Sequence, residues 1–322
     1  MTIRIGVNGH DPVLYFLSTL GILEEDLDRI GETVEWVPYA PGPRAPWLLG
    51  TELDFVGCGQ TPMLRAHAEG LDTVYVASSP NRPLQGALVV ADAGPIRTVA
   101  DLRGARVAFP APAWPAQLVA GALDQAGLTI ADVTVVQPDG DEDLQALLRG
   151  ELEAATLLGP RLIEAEETGR IRHLVPTDSA VCNRHLFTTT REFALRQQDA
   201  LSLILTAMEK ANLWVKEDFA RAAAHRAQEQ RYEAPKWGGS PRTWEAILRR
   251  MPWQIAPIDS AFIDEQDRHA QLLHTGGLLD AVGSARERFI PELIWVVRDA
   301  VAAAHGEASV PAQSEPLATG MV

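Results

Sequence analysis

Along the first 190 residues, short runs of apolar and β-branched residues alternate with stretches of helical periodicity. Runs such as Ile3–Val7, Val34–Tyr39 and Thr73–Ala77 are typical of buried strands, and apolar residues recur at helical spacing between such runs. Strands that alternate with helices indicate α/β units built on a parallel sheet. Two successive groups of these units, the second beginning near residue 91, predict two α/β lobes.

The last third of the chain changes to helical periodicity alone. Helices are predicted over Glu192–Lys216, Ala220–Gln230, Pro241–Met251, Asp259–His274 and Ala285–Ala304. Near the start, Val13–Leu23 is predicted as one helix that continues through Gly21. We assign residues 1–90 and 190–305 to lobe one, residues 91–189 to lobe two, and the small, polar residues 306–322 to a disordered tail.

The segment Pro95–Phe109, PIRTVADLRGARVAF, packs a turn, a short helix and a strand into a small space. Thr98 or Asp101 can cap the helix, Gly104 can end it, and an apolar strand follows. The segment therefore predicts the position at which lobe two begins.

This segment resembles the start of the second lobe in bacterial solute-binding proteins. Further stretches resemble the aliphatic-sulfonate, taurine and nitrate branch of the type II periplasmic binding fold; they are VEWVPYAPGP at 34–43, LDFVGCGQTPMLRAHAEG at 53–70, TVYVASSPNRP at 73–83 and AGLTIADVTVV at 126–136. The resemblance covers residues 1–190 and implies an α/β, two-lobed type II fold with a helical C-terminal part. It also implies that a small organic anion (a sulfonate, sulfinate or carboxylate) binds between the lobes, with an ABC transporter permease as partner if the protein is exported.

The same fold carries enzymes, including a sulfinate desulfinase, a thiamine-pyrimidine synthase and a dihydroxyphthalate decarboxylase. The alternative is therefore a cytoplasmic desulfinase- or lyase-like enzyme that uses Cys58, His10 or both. The desulfinase has its catalytic cysteine in the loop after the first strand, where this chain has Asn8-Gly-His-Asp11. No catalytic residue of those enzymes thus transfers directly.

Charge and composition limit the classes of partner and cofactor that the chain is expected to bind. The formal net charge is −15, which argues against a nucleic-acid partner because phosphate binding needs a basic surface. The two cysteines, Cys58 and Cys182, are too few for a disulfide framework, and no metal-ligand spacing or cofactor motif is present. No apolar run is long enough for a membrane span, and the N-terminal residues lack a signal-peptide pattern. We expect a cytoplasmic protein, or a periplasmic or extracellular one if a leader has been removed.

Candidate site residues in lobe one follow the predicted strands, because α/β sheets bind ligands beyond the carboxyl ends of their strands. His10 could donate to an anion or act as a base oriented by Asp11, or the pair could simply form a turn in which Asp11 caps the next helix. Cys58 lies at a strand-to-helix turn, where backbone amides and the helix dipole would lower a thiol pKa; it could equally be a small residue filling a tight turn. Gly59, Gln60 and Thr61 in the same turn, and Ser79 and Asn81 after the fourth strand, are further polar ligand candidates, with Ser78 and Arg82 in the same loop.

Lobe two supplies the remaining candidates. Trp114 could cover an aromatic or apolar ligand tail, and Arg161 and Arg184 are the predicted anion anchors because a guanidinium binds an oxyanion through two nitrogens. Both arginines could also be ordinary surface residues. Cys182 is placed at the cleft, opposite Cys58. The prolines around Trp114 leave few free amides for an anion, unlike the serine-rich loop usual in sulfonate binders, and Trp237, Trp244 and Trp253 are predicted as core or hinge residues.

Overall fold

The structure is a computed structural model that describes residues 1–40, 44–138, 142–228 and 239–307. Its strands are β1 (Thr2–Val7), β2 (Thr33–Pro38), β3 (Phe55–Cys58), β4 (Thr73–Ser78), β5 (Gly86–Ala91), β6 (Arg106–Ala108), β7 (Thr134–Val136), β8 (Ala154–Leu158), β9 (Ile171–His173), β10 (Leu186–Thr190) and β11 (Ala256–Pro257). Its helices are α1 (Pro12–Leu20), α2 (Ile22–Asp28), α3 (Ala45–Leu48), α4 (Gln60–Ala68), α5 (Pro115–Gln125), α6 (Glu142–Arg149), α7 (Gly159–Glu167), α8 (Thr177–Ala180), α9 (Arg191–Arg196), α10 (Gln198–Glu217), α11 (Phe219–Gln228), α12 (Pro241–Arg249), α13 (Ser260–Thr275) and α14 (Leu293–Ala304).

The first sheet combines strands from distant parts of the chain, in the order β11-β4-β10-β3-β1-β2. β1 pairs in parallel with β2 and β3, whereas β10 lies antiparallel between β3 and β4. Phe187 in β10 is paired with Gly57 on one side and with Ala77 on the other. The chain therefore returns into the middle of the first sheet after the second sheet is complete.

The second sheet has the order β7-β6-β8-β5-β9, with β5 antiparallel to both β8 and β9. The prediction of purely parallel sheets is wrong, because β5 and β10 each arrive from the other half of the molecule rather than through a helical crossover. Since β5 belongs to the second sheet, the chain crosses between the halves at residues 79–85 and 181–185. These crossings come earlier than the predicted boundaries at 90 and 190.

Three predicted helices are interrupted. Gly21 has a left-handed φ of 69°, which ends α1 and turns the chain into α2. The predicted helix Glu192–Lys216 is broken at Gln197, where the backbone leaves the helical region between α9 and α10. The predicted helix Ala285–Ala304 retains only α14 after a short 3-10 turn, because Pro291 lies between them and lacks the backbone N–H that a helix needs.

The start of the second half matches its local sequence. Thr98 and Asp101 form a reciprocal capping box, in which the Thr98 backbone N–H donates to the Asp101 carboxylate at 2.8 Å. Gly104 has a φ of 75° and ends this 3-10 turn before β6. Both predicted caps and the predicted stop at glycine are confirmed.

The C-terminal helices are shared between the two halves. Leu201, Leu248 and Val297, from α10, α12 and α14, belong to the apolar core of the first sheet. Ala270 and Leu273 of α13 instead pack into the core of the second half, against α5, and α12 also contacts α7. The assignment of all of residues 190–305 to lobe one is therefore too simple.

Two further expectations concern the chain ends and the membrane. The predicted disordered tail from residue 308 onwards lies outside the described residues, whereas the backbone N–H of Glu307 still donates to Ala302 at the end of α14. In the described ranges, no helix has the length and apolar character needed to cross a membrane.

Candidate functional site

A cavity of about 230 Å³ lies between the two halves of the molecule. Its walls come from the loops after β1 and β3, the segment before β10, the N-terminus of α5 and one face of α12. Polar side chains that line it are those of Asn8, His10, Asp11, Arg82, Gln85, Asn183 and His185. The cavity thus lies beyond the carboxyl ends of β1 and β3, where a ligand is expected in an α/β sheet.

Asp11 forms part of the cavity wall and also caps α1. Its Oδ1 accepts hydrogen bonds from the backbone N–H groups of Val13 and Leu14, both at 3.1 Å, which confirms the predicted capping role. Its Oδ2 lies 3.1 Å from Nε2 of His185, and the Asp11 residue is only 1% exposed. One carboxylate oxygen is therefore hydrogen-bonded to α1, whereas the other faces the His185 ring without a hydrogen bond among the described residues. His185 was not among the candidates named from the sequence.

The two segments that cross between the halves are hydrogen-bonded to each other beside the cavity. The Ser79 backbone N–H donates to the His185 carbonyl at 2.8 Å, and the His185 N–H donates to the Ser79 hydroxyl at 3.0 Å. The Asn183 N–H donates to the Asn81 side chain at 2.8 Å. Ser79 and Asn81, both predicted to bind ligand, here join the crossing segments and do not line the cavity.

Arg82 places a guanidinium in the cavity wall, beside the paired crossing segments. Its Nη2 donates to Oδ1 of Asn183 at 3.3 Å, while its Nε is buried and has no hydrogen-bond partner among the described residues. Burial lowers the pKa of Arg82 to about 10, with Asp11 and Cys182 acting in the opposite direction. The guanidinium therefore stays charged at neutral pH and retains a free donor.

His10 is the second candidate base or donor in the cavity wall. Burial, together with the nearby guanidinium groups of Arg226 and Arg161, lowers the pKa of His10 to about 4. The imidazole is therefore neutral at pH 7 and offers one donor and one acceptor. As a general base it is weak, because so low a pKa leaves little drive to take up a proton.

Cys58 lines the cavity at the end of β3, but its thiol is not activated. The residue is 5% exposed, and burial raises the pKa of its thiol to about 12 despite a hydrogen bond with Thr188. At neutral pH the thiolate fraction is on the order of one in 10⁵. The predicted lowering of this pKa is wrong, because the cost of desolvating a thiolate outweighs the local amides and helix dipole.

The other side of the cavity is apolar. Tyr39, Trp114 and Leu158 line it, and α12 adds Trp244 and the aliphatic side chains that follow it. Trp114 lies at the start of α5 as predicted, and its Nε1 donates to the Cys182 carbonyl at 3.0 Å. Trp244, predicted as a core or hinge residue, is 4% exposed and contacts the cavity as well as the core, while Trp237 lies outside the described residues.

Several predicted ligand residues lie behind the cavity wall. His10, Asp11, Cys58, Gly59 and Trp114 line the cavity, whereas Gln60, Thr61, Cys182, Arg161 and Arg184 do not. The Gln60 Oε1 accepts the backbone N–H of Arg184 at 2.7 Å, and the Arg184 guanidinium lies over the Phe262 ring at 5.1 Å and donates to the Cys182 sulfur. Arg161 lies in the first turn of α7, close enough to the site to lower the pKa of His10. Of the three arginines named from the sequence, Arg82 lines the cavity, and its place in the polar loop after β4 was the available signal.

Metal binding has no support in the geometry. Within residues 1–40, 44–138, 142–228 and 239–307, no three His, Cys, Asp or Glu side chains are grouped so that they could hold an ion. The cavity presents hydrogen-bonding side chains, the Arg82 guanidinium and a large apolar surface.

The sequence also matches a known family. A family model described as NMT1/THI5 like matches residues 33–222, which is more than half of the chain. The chain belongs to the NMT1/THI5-like family. The NMT1/THI5-like match extends from β2 into α11 and includes Arg82, Asn183 and His185, so it covers the strands of both sheets except β1 and β11.

This chain is also similar to a named bacterial protein and to proteins of solved structure. A protein of Escherichia coli (strain K12) whose name describes it as an aliphatic sulfonates-binding protein is 25% identical over 256 residues, covering 79% of this chain and 78% of its own. The crystal structure of the periplasmic aliphatic sulphonate binding protein SsuA from Escherichia coli matches with a TM-score of 0.78 and 25% identity, covering 89% of this chain and 91% of that one. The desulfurization enzyme DSZB matches with a TM-score of 0.60 and 17% identity, covering 91% and 97%, which is a likeness of fold alone. The predicted α/β fold of the periplasmic sulfonate-binder type is confirmed.

Proposed function

We propose that this NMT1/THI5-like protein binds a small organic anion, a sulfonate, sulfinate or carboxylate, in the cavity between its halves. The observation that carries the proposal is the Arg82 guanidinium, which is charged, lines the cavity and has an Nε without a hydrogen-bond partner among the described residues. A buried cation with an unused donor is a favourable partner for an oxyanion, since charge-assisted hydrogen bonds are about twice as strong as neutral ones.

The charge around the cavity differs from that of the whole chain. The net charge of −15 disfavours anions at the surface in general. Around the cavity, Arg82 is joined by Arg161 and Arg226, which lie close enough to lower the pKa of His10. The carboxylate in the wall, Asp11, is already engaged by α1 and His185. The cavity is therefore a local region where an anion is favoured.

The similar proteins support this ligand class and indicate a partner. Two of them are named for binding aliphatic sulfonates, and one of these is described as periplasmic. We propose that this protein passes its ligand to an ABC transporter permease. The relatives give no support to the cytoplasmic location expected from the N-terminal residues, and cell fractionation with an antibody to the native protein tests it.

The same site favours binding over catalysis. A nucleophilic cysteine needs a lowered thiol pKa, whereas burial raises that of Cys58 to about 12. A general base needs a pKa near the working pH, whereas that of His10 is about 4. The cavity thus lacks an activated group at the two positions considered for a desulfinase- or lyase-like reaction.

Titration calorimetry with alkanesulfonates, taurine, nitrate, arylsulfonates and aromatic carboxylates tests the proposal. At least one of these anions should bind, and Arg82→Gln should weaken its binding about 10- to 100-fold, as expected for losing a hydrogen bond to a charged group. Arg184→Gln is the matched control, because that guanidinium lies over Phe262 instead of lining the cavity. Binding that survives Arg82→Gln, or that is lost only in Arg184→Gln, would overturn the assignment of the anchor, and no binding by any anion would overturn the function.

A further inference from the structure

One face of α12 forms an apolar wall of the cavity. Trp244, Ile247 and Leu248 lie at positions i, i+3 and i+4 on one face of α12. Met251 follows just after the helix ends, and all four side chains line the cavity. Such an apolar helical face usually packs entirely against a hydrophobic core. Here it also faces a space that is large enough for a ligand, so the helix that completes the core also shapes the binding site.

Trp244 is held in place on this wall. The Arg226 guanidinium lies 4.4 Å from the Trp244 ring and 4.4 Å from the Tyr15 ring, so it joins α12 to α1 through two cation–π contacts. The side chain of Gln85 donates to the Ile247 carbonyl at 3.2 Å, and Arg250 donates to Glu166 of α7 at 2.7 Å. The wall is therefore fixed to both halves of the molecule.

Aromatic residues from other elements complete the apolar side. The Trp114 indole donates to the Cys182 carbonyl. Its ring also packs closely on β5, because a Cβ added at Gly86 would lie only 2.7 Å from Cζ3 of Trp114. The Tyr39 hydroxyl donates to the Gly57 carbonyl at 3.0 Å. These hydrogen bonds leave the Trp114 and Tyr39 rings few alternative positions. A rigid apolar surface of this kind favours ligands whose shape fits it.

The size of the cavity sets what can occupy it. A cavity of roughly 150 Å³ lined by apolar side chains holds a benzene molecule. The cavity here measures about 230 Å³. It can therefore hold one planar ring and an oxyanion head group beside it, while the smallest alkanesulfonates would leave the apolar wall uncovered.

We propose that the ligand is an aryl-bearing anion, a sulfonate or carboxylate whose head group binds Arg82 and whose ring packs against Trp244 and Trp114. This inference rests on the proposed function and adds the identity of the ligand's tail. A flexible alkyl chain of equal carbon count must lose rotational freedom on binding, whereas a ring is already rigid. The fixed wall should therefore favour the ring.

Calorimetry with benzenesulfonate and hexane-1-sulfonate, which have equal numbers of carbon atoms and the same head group, tests the inference on the unmodified protein. Benzenesulfonate should bind at least about fivefold more tightly. Trp244→Leu keeps an apolar side chain but removes the ring, and it should weaken benzenesulfonate binding about three- to tenfold while changing hexane-1-sulfonate binding less than about twofold. Trp295→Leu is the matched control, because Trp295 also has an arginine, Arg298, over its ring but does not line the cavity.

The outcomes separate the two proposals. Equal or tighter binding of hexane-1-sulfonate by the unmodified protein overturns the inference on the tail and leaves anion binding intact. A ring preference that Trp244→Leu leaves unchanged also overturns it. If the Trp244→Leu protein does not fold, Met251→Ala at the edge of the same wall takes its place, with a smaller loss in the same direction. If neither of these sulfonates nor benzoate binds while another anion of the wider panel does, only the inference on the tail is overturned. If no anion of that panel binds, the proposed function is overturned with it.

Discussion

A single methyl group at Gly57 should disrupt the polar side of the cavity. A Cβ at this position would lie 1.7 Å from Oδ2 of Asp11 and 2.6 Å from Nε2 of His185. Contacts below 3.0 Å are essentially never found for real Cβ atoms, so the Asp11 carboxylate would have to retreat by more than 1 Å in Gly57→Ala. The carboxylate is buried, so no solvent is available to replace the partners it leaves.

The expected cost follows from the contacts that this movement breaks. Loss of the Asp11 cap on α1 costs about 1 kcal/mol. Loss of the His185 contact leaves a buried carboxylate short of a partner, at about 1–3 kcal/mol. Gly57→Ala should therefore lower the free energy of unfolding by about 2–4 kcal/mol, and it should weaken anion binding because Asp11 and His185 both line the cavity.

Urea unfolding followed by fluorescence measures this change, and Gly59→Ala supplies the control. Gly59 lies two residues further along with a φ of −78°, and the nearest atoms to a Cβ there would be 3.8 Å away on Pro62 and 4.0 Å away on Trp114. Its free energy of unfolding should change by less than about 0.5 kcal/mol. Equal stabilities for the two variants would refute the reasoning, because they would mean that Asp11 can leave its cap and His185 at no cost.

Two further predictions concern titratable groups. Cys58 should resist alkylation by iodoacetamide in the folded protein at about pH 8, while the half-buried Cys182 reacts first; peptide mass spectrometry locates the label, and rapid labelling of Cys58 would contradict its raised pKa. The free energy of unfolding should fall as the pH decreases from about 6.5 toward 4, because the unfolded chain takes up protons on histidines that burial keeps neutral in the fold, at about 1.4 kcal/mol per unit of lowered pKa. Urea titrations across this pH range should show a smaller loss of unfolding free energy for His269→Gln than for the unmodified protein. Equal losses would contradict the conclusion that burial keeps His269 neutral in the folded protein. The histidines concerned are His10, with a folded pKa of about 4, and His67 and His269, each with a folded pKa of about 3.

Features set by neighbouring residues were predictable from the sequence. The Thr98–Asp101 capping box and the stop at Gly104 depend on side chains three to six residues apart, and both are present in the structure. Gly21 shows where local reasoning fails, because a glycine inside an apolar helix pattern is compatible with continuation or with a left-handed stop. The structure has the stop at Gly21, and α2 then packs against α10, which comes from a distant part of the chain.

The chemistry of the site was less predictable, because it depends on burial and on the direction of long side chains. The local sequence of Cys58 shows a glycine turn before a helix, but the desolvation that raises its pKa comes from surrounding elements. Arg184 and Arg82 both flank strands of the first sheet. Only the position of Phe262 on α13, far along the chain, draws Arg184 away from the cavity.

The stripe on α12 illustrates the same limit for apolar residues. The apolar spacing predicts a buried helical face, and in the structure Trp244, Ile247 and Leu248 are buried on one face of α12. Whether such a face meets only core atoms or also an open space is decided by the arrangement of α5, α7 and the loop after β1. Periodicity therefore identified the helix and its buried side but not its contribution to the cavity.

The paired crossing segments have a mechanical consequence. Because Ser79 is bonded to His185 and Asn81 to Asn183, any rotation of one sheet relative to the other must take place about an axis close to these bonds. Arg82 belongs to these paired segments, and its backbone N–H donates to the Asn183 carbonyl at 2.8 Å. Such a rotation would therefore displace Arg82 little, and an anionic head group bound to it would keep the same partner.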